Sequence, residues 1–204
     1  MAATTTALFG GALTCELPQG PKHQWIDVST MRPVPDNEEA FVLELDGQPG
    51  GCASIIIEIV ERADVDDAAA LEFFFKDLEE QAGAVPGGSI VDRPCLATAL
   101  PLCADASYAA SLSGVQRLPS ARFANRVTLG LVRFPAHASD VLLSLSAGLS
   151  EDAGQSGSDL SILELLLSSA SAAACMEAIL QSFRLLDPGL FGGGSGADSE
   201  RVEA

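Results

Sequence analysis

Two apolar runs, Val127 to Phe134 and Asp140 to Leu145, are joined by only Pro-Ala-His-Ala-Ser. A parallel crossover needs about a dozen residues or more, so a link this short forces the runs to pair antiparallel. Elsewhere Ala12 to Leu17 and Ala40 to Leu45 alternate as strands with one buried face do, and Ser54 to Val60 is a β-branched run suited to a more buried strand. Between these last two, Asp46 to Ala53 carries Gly-Gln-Pro-Gly-Gly and reads as a hairpin loop. A mostly antiparallel sheet is therefore the expected framework.

Two stretches depart from the strand period. From about Asp66 to Gln81, Leu71, Phe74, Phe75 and Leu78 recur at helical spacing and predict a core stripe. Asp64, Asp66 and Asp67 sit where a positive helix N-terminus attracts anions, and Gly83 can stop the helix. A calcium loop is rejected here, because counting from Asp64 puts Ala69 at the glycine position and Phe75 at the bidentate glutamate position. A second helix is expected to start near Asp159 and continue in some form to Leu185. Ser161 to Glu164 has capping-box spacing, and two apolar patches follow: Leu163, Leu166 and Leu167, then Met176, Ile179, Leu180 and Phe183. The Ala/Ser run between the patches reads as helix or as a break. Glu164, Glu177 and several serines make a membrane span over this region costly, so a buried helix is preferred. Asp187-Pro188-Gly189 should end the element, leaving one domain over residues 1–191 and a disordered, acidic, glycine-rich tail over 192–204. Helices segregated from strands in this way imply an α+β sandwich, with helices flanking the faces of the sheet.

With 204 residues, 48% of them apolar, the chain can fill a single core. Asp plus Glu number 28 against 11 Lys plus Arg, a formal charge of -17 that argues against nucleic acid or anionic membranes and for a basic partner. A strongly acidic monomer is expected. The charge is uneven: residues 1–80 hold 16 acids and 4 bases, residues 81–140 hold 3 and 5, and the remainder hold 9 and 2. Acids also solvate exposed faces and keep an apolar protein in solution, so composition alone does not assign them a partner. The five cysteines, at positions 15, 52, 95, 103 and 175, lack metal-site or disulfide-framework spacing and read as free thiols in a reducing compartment. The first residues, MAATTTALFGGAL, lack the features expected of a secretory or transit signal.

The stretch Asp27 to Phe41, DVSTMRPVPDNEEAF, holds four carboxylates around two prolines directly before a strand. Pro33 and Pro35 fix their own φ and push Arg32 and Val34 into extended conformations, and Asp36 and Asn37 supply turn chemistry. A stiff acidic loop loses little entropy when a basic partner docks on it. Trp25 should pack as a buried anchor beneath it.

This stretch resembles the signature of the Ran guanine-nucleotide release factors, small nuclear-transport proteins whose fold is shared with the PsbP photosystem proteins. LFGGALTCELP (Leu8 to Pro18) resembles the family's opening strand and LDPGLFG (Leu186 to Gly192) its closing motif. Between them SIIIEIVE, LSGVQ, VTLGLVRFP and DVLLSLS fall in the family's order, so the likeness covers most of the chain. It implies a PsbP-like fold and a single C-terminal helix over Cys175 to Leu185. It further implies binding to the GTPase Ran, release of Ran's guanine nucleotide, no cofactor, and a place in the nucleus and cytoplasm. Residue by residue it puts the Ran-facing acids on Asp27, Asp36 and Glu39, with Arg32 either bracing the loop or touching the partner. Asp27 can equally serve as a turn cap, and Glu39 as a solvent-facing strand residue. Glu38 should point to the opposite face.

Catalytic and nucleotide-binding signatures are missing from the sequence: it has no G-x-S-x-G, no H-E-x-x-H, no G-x-x-x-x-G-K-[ST], and only His23 and His137 for general-base work. A non-catalytic release factor is the leading expectation. Two others stand beside it: a PsbP-like photosystem accessory protein, and a non-exchange interaction protein whose acidic face meets another basic partner.

Overall fold

The computed structural model describes residues 2–19, 23–45, 53–84, 88–117, 124–149 and 168–192. Strands β1 (Ala2–Leu8), β2 (Leu13–Gln19), β3 (His23–Asp27), β4 (Glu38–Leu45) and β5 (Ala53–Glu61) precede helix α1 (Asp67–Gln81). Then come β6 (Ile90–Ala97), β7 (Tyr108–Arg117), β8 (Ala124–Phe134), β9 (Ser139–Leu149), helix α2 (Ser169–Ser182) and the two-residue β10 (Arg184–Leu185). Seven strands form one antiparallel sheet in the order β3-β4-β5-β9-β8-β7-β6, and β1-β2-β10 form a small second sheet.

The expected β8–β9 hairpin is present, turning through a short 3-10 segment at Pro135–His137 and pairing Arg133 with Asp140 and Phe134 with Ser139. Alternation decides which face each residue serves. Phe41, Leu43, Ile55, Ile57, Leu143 and Leu145 point to a core closed by Leu13, Cys15 and Leu17 of β2 and by Met176, Ile179 and Leu180 of α2. Val127, Leu129 and Leu131 point the other way, against Leu71, Phe74 and Phe75 of α1. Each fully buried Leu, Ile or Phe removes apolar area worth about 1.5–3 kcal/mol from water. The result is the expected α+β sandwich, with one addition: the small sheet shares the α2 side of the large one.

α1 begins and ends as its sequence implies. Leu78 is half-buried at the end of the stripe, and Gly83 takes φ +60 just beyond the helix. α2 departs at both ends from the Cys175–Leu185 helix that the resemblance implies, and the expected start near Asp159 lies outside the described residues. Ser168 caps it by accepting from the Ser171 N–H, so the Ala/Ser run is helical and the helix starts before Cys175. It stops at Ser182, because Arg184 and Leu185 leave to pair with Thr14 and Leu13. The capping-box residues 161–164 lie outside the described residues, as do the hairpin loop at 46–52 and the tail beyond Gly192. Among the described residues no helix is long and apolar enough to cross a membrane.

The opening stretch is a hairpin, not a single strand. β1 pairs with β2 from Ala2↔Gln19 to Leu8↔Leu13, and Phe9-Gly10-Gly11 makes the tip. Two successive glycines permit the left-handed turn that a continuous strand would not take.

Candidate protein-binding surface

β4 starts, β5 ends, β8 ends and β9 starts at one end of the large sheet, so the loops 28–37, 62–66 and 135–138 gather there. Three stretches distant in sequence are tied together at this end. The Glu39 Oε1 accepts from the Phe9 N–H at 2.6 Å, joining the start of β4 to the hairpin tip. The Ala12 carbonyl accepts from the Leu186 and Asp187 N–H groups at 2.8 and 3.1 Å, joining the same hairpin to the C-terminal turn. Phe191 of that turn stacks on His137 with ring centroids 4.8 Å apart, and lies 4.9 Å from the ring of Phe134.

The loop itself is locally built. Asp27 ends β3 and caps a 3-10 turn, Val28–Thr30, by accepting from the Ser29 N–H at 2.7 Å, while the Thr30 hydroxyl donates to the Asp27 carbonyl. Val28 is buried beneath the turn and Met31 is exposed beyond it. The Glu38 N–H closes a turn onto the Pro35 carbonyl at 2.9 Å, which leaves Asp36 at its exposed corner. Asn37 fastens the loop to β5: its carbonyl accepts from the Ile59 N–H at 2.9 Å, and its side-chain amide donates to the Ile59 carbonyl at 3.2 Å. Asn37 was legible as a turn residue, but its hold on β5 depends on strand pairing that the sequence does not display.

The four candidate residues therefore have different positions. Asp36 and Arg32 are exposed, and Arg32 makes no ion pair among the described residues. Asp27 is engaged as a cap and Glu39 as an acceptor for Phe9. Glu38 does lie on the face opposite Glu39, paired across the strands with Glu58. There the Glu58 carboxyl is pushed up from its usual value by burial first, and then by the Glu38 and Asp77 carboxylates. Trp25 is half-buried against the core, not beneath the loop, and is held by β2: its indole N–H donates to the Pro18 carbonyl at 2.9 Å.

The surrounding electrostatics are acidic. Asp36, Asp64, Asp66, Asp105 and Asp187 are exposed on the loops of this end, and Glu61 is exposed as the last residue of β5. Asp67 is committed inward, accepting from Arg133 at 2.8 Å. Burial raises the thiols of Cys15 to about 12 and of Cys175 to about 11, and pushes that of Cys103 up as well. Such a concentration of exposed carboxylates suits the docking of a basic surface.

Residues 6–147 match the family described as Mog1, Ran-interacting Mog1 protein. The chain belongs to the Mog1 family. The human Ran guanine nucleotide release factor is 32% identical to it over 194 residues, which cover 91% of this chain and 95% of that protein. The nuclear import protein MOG1 of Saccharomyces cerevisiae is 36% identical over 83 residues, 37% of this chain and 36% of that one. The fold matches the crystal structure of the Saccharomyces cerevisiae Ran-binding protein Mog1p with a TM-score of 0.66 and 22% identity, over 94% of this chain and 99% of that one. The tip Phe9–Gly11 of the stretch that resembled an opening strand, the signature loop from Asp27 and the closing turn 186–192 thus form one continuous end of the molecule.

Proposed function

We propose that this Mog1-family chain binds a Ran-type small GTPase through the acidic end of its sheet and promotes release of the bound guanine nucleotide, acting in nucleocytoplasmic transport. The observation that carries this reading is the likeness to the human release factor along 91% of the chain. The exposed corner at Asp36, with Arg32 beside it on a proline-stiffened loop, supports the choice of surface. Asp27 and Glu39 belong to the same surface as residues that shape it.

Release of this kind needs no covalent chemistry. A factor that binds the nucleotide-poor GTPase more tightly than the loaded one weakens the nucleotide by the same coupling free energy, typically about 1–3 kcal/mol. Carboxylates presented to the partner's lysines and arginines draw those cations away from phosphates they would otherwise hold, which makes the competition local. Sequence signatures for nucleotide binding are lacking in this chain, consistent with the nucleotide staying on the partner.

The test is the rate at which purified Ran loses fluorescent GDP and GTP in the presence of the full chain. Acceleration is expected, reduced about tenfold or more in Asp36→Ala, the scale of one lost interfacial charge contact. Glu38→Ala removes the same charge from the opposite face and should stay within about twofold of the parent chain. Binding without acceleration would replace the release reading with that of a non-exchange interaction protein, and absence of binding would sink both.

A further inference from the structure

Phe9 is a bulky residue in the left-handed region, with φ +50, followed by Gly10 at +66 and Gly11 at +95. Such a conformation is disfavoured for an aromatic residue and persists only where its surroundings impose it. Here the imposing contact comes from 30 residues away: the Glu39 carboxylate accepts from the Phe9 N–H at 2.6 Å. The Phe9 ring packs against the main core, and the Ala12 N–H returns to the Phe9 carbonyl at 3.2 Å. Beyond this clamp the tip is open. A Cβ placed on Gly10 or on Gly11 would meet no atom within 4 Å.

We propose that the Phe9–Gly11 tip is itself a contact element of the GTPase-binding surface, and that Glu39 is its positioning residue. The inference rests on the Ran-binding reading above. A glycine backbone fixed in one pose lets a partner approach its peptide groups closely, and the ordering cost is met before docking. Surface charge by contrast speeds encounter without fixing register. Glu39 already spends one carboxylate oxygen on a backbone amide, which ties its influence on the partner to the tip it holds.

The experiment measures the affinity of the full chain for nucleotide-free Ran alongside hydrogen exchange at the Phe9 amide. Glu39→Ala should weaken binding about tenfold or more, and Glu39→Gln, whose amide oxygen still accepts from Phe9, should recover most of that loss. Gly10→Asn keeps a residue tolerant of positive φ but adds atoms in the open space. It should weaken binding about tenfold while lowering the melting temperature by no more than about four degrees, the scale of one mildly strained residue. Exchange at Phe9 should quicken in Glu39→Ala and stay slow in Glu39→Gln.

If Glu39→Gln binds as poorly as Glu39→Ala, Glu39 acts as a direct ionic contact and the positioning role is overturned. If Gly10→Asn binds like the parent chain, the tip is not a contact. Failure of the parent chain to bind Ran at all would overturn the broader reading instead, and the exchange measurement would still decide whether Glu39 holds the tip.

Discussion

At the residue scale, the largest commitment of charge lies inside the fold. Arg133 is fully buried; its Nε–H donates to Asp140 at 3.1 Å, and its other nitrogens donate to Asp67, the Val65 carbonyl and the Ala63 carbonyl. Burial pushes the Asp140 carboxyl up from its usual value even though the Ala63 amide and Arg133 pull it down. Arg133→Met leaves a buried carboxylate without its partner, so urea unfolding should show a loss of about 3–5 kcal/mol, much of it regained when Asp140→Leu is added. A loss below about 1 kcal/mol would mean that water reaches the pair. Both residues were visible at the ends of the two apolar runs, and the short link foretold that those ends would meet. That they meet as a buried ion pair was not legible, because it depends on the loop at 62–66 closing over them.

The Glu38–Glu58 pair gives a second residue-scale expectation. Burial and the facing carboxylates hold the Glu58 pKa in the folded state above its ordinary value, so its contribution to stability is full below the unfolded value and is lost as pH rises through the folded one. Glu58→Gln removes the facing like charge and should stabilise the protein by about 0.5–1 kcal/mol at neutral pH, the scale of one opposed cross-strand pair. The gain should vanish below about pH 4.5. Thermal melts across that range check it, and a gain independent of pH would place its origin in packing instead of ionisation.

At the element scale, both helices lie so close to the sheet that glycine is required beneath them. A Cβ on Gly130 of β8 would come within 2.5 Å of the Met176 sulfur of α2. On Gly114 of β7 it would come within 2.7 Å of both the Phe75 ring of α1 and the Ile90 carbonyl of β6. Gly130→Ala and Gly114→Ala should each cost about 1–3 kcal/mol. Gly114→Ala should cost the more, because a flexible thioether can swing aside and a strand carbonyl cannot. Equal melting temperatures for the two variants would contradict that ordering. These contacts also explain what was readable. α1 declared itself through an apolar stripe with acids at its start and a glycine at its end. β10 left no signal, since two residues cannot show a period, and β6 shows none because its side chains are nearly all exposed, with register shifts around Arg93.

At the scale of the whole molecule, the antiparallel framework could be read from one five-residue link, whereas the sequence named the residues of the proposed binding loop without showing what they gather with. Phe9, Asp36 and Asp187 stand far apart in the chain, and the Glu39–Phe9 and Ala12–Leu186 hydrogen bonds, with the Phe191–His137 stacking, bring them to one end. The same folding brings Asp105 and Asp187 beside the acids of the N-terminal half, where the sequence count had placed most of the charge. With a formal charge of -17 and exposed carboxylates gathered on those loops, the field should act mainly on encounter. The Debye length falls from about 10 Å at 0.1 M to about 3 Å at 1 M salt, which screens peripheral carboxylates but not contacts already formed. Stopped-flow association with Ran should therefore slow about tenfold between roughly 50 and 500 mM salt, with dissociation changing less than about threefold. Glu61→Gln/Asp64→Asn removes two exposed charges away from the proposed contact loop and should lower the association rate and flatten its salt slope, leaving dissociation unchanged. If salt and the double substitution act on dissociation instead, those carboxylates touch the partner directly, and the contact surface extends past the signature loop to the start of α1.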